Sequence, residues 1–416
     1  MKQRMKNRYQ PGIVLILLLL TSLGYWCRVV QANDLVPPLL LKALTRYTAG
    51  EIVTCASPLG YLRLTRDNAD TGSFAVTQFT WDGTERFRIT ITPDSEAKAW
   101  SGGYYLSQSP DGHYIATIEQ QTVRIWNDGL FSGSTALPEN LGWAVGARIY
   151  GAYQVCDNGQ VYVWSYDPAV FDTRKVALNL FVVDSTGLIA QGSHASSIPL
   201  PNGSGFGATL SPDGAVLVYG ITTSEARTIE YVTLEIIVDS IIFTPHFTTS
   251  NTVLDRFVGD HRLLMESGAL YDATGEVKKP DGWWWKPDNS GRYRSTPYVL
   301  QQKEHHYRVL NIATQQSWTI ESPSGTGIGN VSPDGRYLVL IEQNLKEKQN
   351  ERLALYQQDG RLVATCAIPK HPVSGSEPIL GPPHFGIAGV ALSPNGHMLI
   401  MPEYTQGNWE YVLYQW

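Results

Sequence analysis

A four-residue phrase recurs along this chain and constrains its fold more than any other feature. Ser109-Pro110-Asp111-Gly112, Ser211-Pro212-Asp213-Gly214 and Ser332-Pro333-Asp334-Gly335 are identical, and Ser393-Pro394-Asn395-Gly396 differs only by an amide. Ser57-Pro58-Leu59-Gly60 is a further copy without the acid. Each copy runs into an apolar stretch such as Tyr337-Leu338-Val339-Leu340-Ile341. Proline presets φ at the second position of a turn, Asp or Asn tolerates the third, and glycine takes the left-handed position that closes it. The phrase therefore predicts a tight hairpin feeding a buried strand. Ser57, Asp111, Gly112, Asp213, Gly214, Asp334, Gly335, Asn395 and Gly396 are expected to be structural turn residues. Their carboxylates have a sufficient reason to exist in bonding nearby backbone.

Degenerate copies fill the gaps. Cys156-Asp157-Asn158-Gly159, Gly259-Asp260 and Pro287-Asp288-Asn289-Ser290-Gly291 fall in step with the clear ones, giving a mean repeat of ~48 residues. Gly- and Ala-rich segments precede the turns, as in Ser204-Gly205-Phe206-Gly207-Ala208 and Gly325-Thr326-Gly327-Ile328-Gly329. Such segments suit the place where several backbones crowd around an axis. The expected fold is all-β: a closed β-propeller of four-stranded antiparallel blades, eight in number, with seven as the alternative should the short fifth repeat merge with a neighbour. The last repeat ends after what aligns as a third strand. Its fourth is expected from the N-terminal segment around Leu35 to Ala43, within a closing segment 33–50, so that the chain ends latch the ring and leave no open edge.

The Ser-Pro-Asp-Gly turn followed by an apolar strand resembles the repeat of the TolB-type, WD-like propellers, over most of residues 51–416. The resemblance implies the fold and a structural role for the turn residues, and it implies no catalytic residue. The Gly-His…Trp-Asp pattern of true WD repeats is not kept.

Residues 1–32 read as a secretory signal: Lys2, Arg4, Lys6 and Arg8, an apolar core from Ile13 to Trp26, and Val30-Gln31-Ala32 before Asn33. The alternative is an uncleaved anchor over residues 13–30. Tyr25-Trp26 are too bulky before Cys27 for a lipoprotein signal. A single propeller domain over 33–416 is expected to be exported, periplasmic or extracellular, and monomeric. Without the leader the chain has 27 basic and 38 acidic residues, a net charge of −11. That surface repels phosphate backbones and excludes nucleic acid as a natural partner. Cys55, Cys156 and Cys366 remain, an odd number on separate repeats, so no disulfide framework is expected.

Chemistry-bearing patterns are sparse. Gly203-Ser204-Gly205 precedes a strand rather than a helix, which is not the setting of a nucleophile elbow or a phosphate loop. His305-His306 are adjacent, so on a strand they point to opposite faces and do not share a metal. No metal or cofactor is expected, and no catalytic residue is assigned. Aromatics carry more. Trp100, Tyr104, Trp143, Phe206, Trp284, Trp285, His384 and Phe385 precede or begin the first strands of several repeats, where the connections open around the channel mouth. They are the candidate ligand-binding residues, lining a funnel for a peptide, glycan or protein loop, while inter-blade packing claims part of the set. The expected function is a non-enzymatic binding scaffold. The alternative is a channel-centred hydrolase or lyase using acidic and His residues at the same mouth.

Overall fold

The computed structural model describes residues 39–40, 42–47, 51–68, 73–91, 106–119, 122–138, 151–166, 175–199, 205–222, 227–250, 254–259, 261–265, 269–278, 282–285, 296–322, 328–344, 349–367, 391–405 and 408–415. The chain divides into two compact units at Leu39/Leu40, and the strands below belong to Leu40–Trp416. Among the described residues there is no helix, and none therefore is long and apolar enough to cross a membrane.

Alternating apolar residues and glycine-closed turns produce consecutive four-stranded meanders. The first comprises Glu51–Ser57, Gly60–Asn68, Ser73–Phe79 and Glu85–Ile91. The second comprises Leu106–Gln108, Tyr114–Glu119, Thr122–Asn127 and Leu130–Ala136. Gly151–Val155, Val161–Tyr166, Lys175–Asp184 and Gly187–Pro199 form the third, and Gly205–Leu210, Val216–Thr222, Arg227–Ile237 and Ser240–Ser250 the fourth. The compact fifth holds Leu254–Val258, Arg262–Met265, Leu270–Asp272 and Gly275–Lys278. The sixth holds Trp284–Trp285, Tyr298–Lys303, His306–Asn311 and Ser317–Glu321. Ile328–Val331, Tyr337–Asn344, Gln349–Gln357 and Leu362–Ala367 make the seventh. Ala391–Leu392, Met398–Thr405 and Asn408–Gln415 follow as a three-stranded remainder.

Lys42–Tyr47 completes that last sheet, antiparallel to Asn408–Gln415 with Lys42 opposite Gln415 and Tyr47 opposite Tyr411. The exchange falls several residues later than the expected Leu35–Ala43. The paired strand then leads almost directly into Glu51 of the first meander.

The cores lie between sheets rather than inside them. Leu62, Val76 and Ile89 of the first meander pack with Ile115 and Trp126 of the second. Ile118 and Ile125 of the second meet Val163 and Phe181 of the third. The pattern continues through the third and fourth (Leu178, Leu217), the fourth and fifth (Tyr231, Leu263), the fifth and sixth (Leu264, Val299), and the sixth and seventh (Val309, Leu340). Leu355 of the seventh meets Val412 of the last. The circuit returns at Gly83, where a Cβ would stand 3.7 Å from Leu413 Cδ2. Each apolar strand face is thus buried by the next sheet in sequence, a propeller-like ring of small sheets. A departure from simple repetition joins the third and fourth meanders, whose outer strands pair in parallel at Gln191 and Ser240 to make one eight-stranded sheet.

Candidate functional site

The recurring turn is built the same way each time. In the Ser332 copy the Ser332 hydroxyl donates to Asp334 Oδ1 at 2.6 Å, and the Arg336 N–H donates to the same oxygen at 3.1 Å. Ser332 Oγ in turn accepts the Tyr337 N–H at 3.0 Å, and Gly335 N–H closes on the Ser332 carbonyl at 2.8 Å. The Ser109, Ser211 and Ser393 copies repeat every one of these bonds, Asn395 using its amide oxygen. Ser57 is buried, with its hydroxyl bonded to the Gly60 carbonyl at 3.4 Å. Sequence favours this locally, because proline and glycine fold the corner so that a short acceptor two residues after serine reaches both donors.

Adjacent turns are tied to one another. Gln78 donates to the Gly112 carbonyl at 2.8 Å, and Asp157 accepts the Asp111 N–H at 2.8 Å. Gln154 donates to the Ser211 carbonyl at 2.8 Å, and His261 Nε2 lies 2.7 Å from Asp213. Thr296 and Trp318 reach the carbonyls of Pro333 and Gly335 at 3.1 and 2.9 Å. The glycines are fixed by the same stacking. At Gly335, with φ +72°, a Cβ would come within 2.1 Å of the Tyr298 ring of the preceding meander, and at Gly214 within 2.3 Å of Tyr162.

The acids of the recurring turn are therefore committed to structure. Burial alone would raise the Asp213 carboxyl, but hydrogen bonds from Ser211, the Ala215 N–H and His261, with the charge of His261, hold it below the ordinary value of 3.8. Asp128 is engaged by Arg86 and His113, both at 2.9 Å.

Three of the aromatic candidates fall on described strands. Phe206 stands opposite Ile221 at the start of its first strand, and Trp284 and Trp285 stand opposite Gln302 and Gln301 in theirs. Trp100, Tyr104, Trp143, His384 and Phe385 lie outside the described residues. Beside Trp284, the guanidinium of Arg308 sits 4.5 Å from the centre of the Trp283 ring, and Arg308 Nε donates to the buried Gln301 at 2.8 Å. Arg308 had no signal in the sequence, since its cross-strand position opposite Gln301 follows only from the register.

A second polar group, also silent in the sequence, lies at the junction of the third and fourth meanders. Glu230 is buried, and its carboxylate accepts the Ser196 hydroxyl at 2.6 Å, the Ser197 hydroxyl at 2.7 Å and the Ser197 N–H at 3.2 Å. His194 stacks on Phe243 at 5.2 Å between ring centres and tilts against Tyr219 at 5.6 Å. Burial pushes His194 below its ordinary 6.5, outweighing the pull of the Glu230 charge. Its Nε2 is enclosed without a hydrogen-bond partner. Every Glu230 acceptor is satisfied by serine, so the group acts as a clamp between strands. Among the described residues no three His, Cys, Asp or Glu side chains are grouped to hold a metal.

No known sequence family and no curated protein matches the chain. Solved structures similar in outline include the WD40 domain of SCAP from fission yeast, at 10% identity and a TM-score of 0.44 over 90% of this chain and 97% of that one. An oligogalacturonate lyase from Vibrio parahaemolyticus is similar at 12% identity and a TM-score of 0.41, over 91% of this chain and 98% of that one. A prolyl endopeptidase is similar at 13% identity and a TM-score of 0.40, over 87% of this chain and 54% of that one. Likenesses this distant carry no functional argument.

Proposed function

We propose that the protein is an exported, eight-bladed, non-enzymatic propeller that binds a peptide, glycan or protein loop at the end of the ring where the first strands begin. In this reading the Lys42–Tyr47 strand completes the eighth blade, and residues 1–32 are the leader that directs export. The observation that carries the binding role is the consumption of the repeat acids. Asp111, Asp213, Asp334 and Asn395 each spend their side-chain oxygen on a serine hydroxyl and a backbone N–H. That gives the recurring acids a structural task in place of acid–base work, and the binding role is assigned to the aromatic candidates at the start of the first strands. The Arg308–Trp283 stack beside Trp284 and Trp285 supports recognition there, since a cation held over an aromatic face pre-orders a polar and apolar contact side by side.

The test is binding of the purified mature chain to peptide and glycan arrays, with product analysis on the same arrays. The expected result is unmodified, captured ligand, with capture at least tenfold weaker for Trp284→Ala with Trp285→Ala. Cleaved product would favour a hydrolase or lyase, and equal capture by the double variant would remove the aromatic funnel.

A further inference from the structure

The outer hairpin of the fourth meander departs from its counterparts. In the first, second, third, fifth and seventh meanders this hairpin turns on a glycine at positive φ: Gly83, Gly129, Gly187, Gly275 and Gly360. The sixth uses the polar Gln315. In the fourth, the left-handed position is taken by Val238, at φ +59°. A β-branched residue is strained there, and strain of this kind persists where something other than the local fold favours it. Burial is not the compensation, because Val238 is 87% exposed. Ile237 beside it and Ile242 across the hairpin are each nearly half exposed, as is Leu188 on the neighbouring outer strand. The two outer strands are held together at this point, where Gln191 N–H donates to the Asp239 carbonyl at 3.0 Å. The tip is thus an apolar knob on a braced support. Glu235 and Asp239, both exposed, border it and form no ion pair among the described residues.

We infer that this tip is a docking knob, distinct from the aromatic end of the ring, for a protein partner offering an apolar socket bordered by lysine or arginine. Apolar contact supplies the attraction, and the two unpaired acids select the sign of the border. A lipid surface fits less well, since segments that lie in a membrane interface carry basic rather than acidic flanks.

The probe is a synthetic amphipathic Leu–Lys peptide, with a Leu–Glu peptide and phosphatidylcholine/phosphatidylglycerol vesicles as the other arms, each offered to the full mature chain. Binding of the Leu–Lys peptide is expected, weakened at least tenfold by Ile237→Ser with Val238→Gly, and weakened likewise by Glu235→Lys with Asp239→Lys. Val238→Gly alone is expected to raise the thermal unfolding midpoint, showing that the variant folds and that the valine is strained. The proposal is overturned by failure of the Leu–Lys peptide to bind, by equal binding to the Ile237/Val238 variant, or by equal binding to the Glu235/Asp239 variant. Vesicle binding that depends on Val238, or a lowered midpoint for Val238→Gly, overturns it as well.

Discussion

Within the Ser-Pro-Asp-Gly corner each atom has one task, so single substitutions separate the tasks. Ser332→Ala removes both the donor to Asp334 and the acceptor for Tyr337 N–H, and a loss of about 1–2 kcal/mol is expected in urea unfolding. Gly335→Ala should cost more, roughly 2–3 kcal/mol, because the added methyl collides with the Tyr298 ring and must also hold positive φ. If the two variants proved equal, the packing of Tyr298 against the turn would be unimportant. These corners were legible from sequence because their geometry is local: proline, a short acceptor and glycine define it within four residues. Tyr298 was not legible as a partner, since it reaches Gly335 from another sheet. Acid should loosen the same corners. The Asp213 carboxyl is depressed in the fold, so its contribution is complete above the unfolded-state value near 3.8 and is lost as pH falls through the lower folded value. Asp213→Asn should flatten the stability profile in that window, as followed by fluorescence.

At the level of elements, the seam between the third and fourth meanders is the part of the fold the repeat pattern did not contain. A period of ~48 residues foretells like units, and says nothing of two outer strands pairing with each other. Their pairing needs long strands, of 13 and 11 residues, and a buried Glu230 gripped by Ser196 and Ser197. His194 makes this seam sensitive to pH. A base depressed by burial is neutral in the fold and takes up its proton more readily when released, so stabilisation is full above about 6.5 and is lost as pH falls from there toward the folded value. Glu230 is the acid whose charge acts on it, Tyr219 and Phe243 pack their rings on the imidazole, and the Tyr219 hydroxyl donates to the His194 carbonyl at 3.4 Å. Amide exchange in Gly187–Pro199 and Ser240–Ser250 should therefore quicken between pH 7.5 and 5.5 relative to the first meander, beyond the intrinsic pH trend. His194→Phe, which keeps the stack, should abolish the difference. At this scale the contacts around the candidate aromatics depend on register. Tryptophans at the head of first strands stand out as residues, whereas Arg308 over Trp283 depends on register.

For the molecule as a whole, sequence was enough to name sheets in a ring and a chain end that closes them, because a three-strand remainder at one terminus leaves an edge to be paired. The pairing strand Lys42–Tyr47 lies within the expected closing segment 33–50, toward the C-terminal side of the expected Leu35–Ala43. Closure is the central claim, for every core lies between two sheets and the first and last have only each other. Lys42 and Gln415 stand opposite one another across that junction. The direct measurement is oxidation of the Lys42→Cys, Gln415→Cys variant, with Cys55, Cys156 and Cys366 replaced by serine or alanine, read by mass and by thermal unfolding. A closed ring gives an intramolecular disulfide in the monomer and a higher unfolding midpoint than the reduced form. A monomer that stays reduced, or one that cross-links only into dimers, would contradict it.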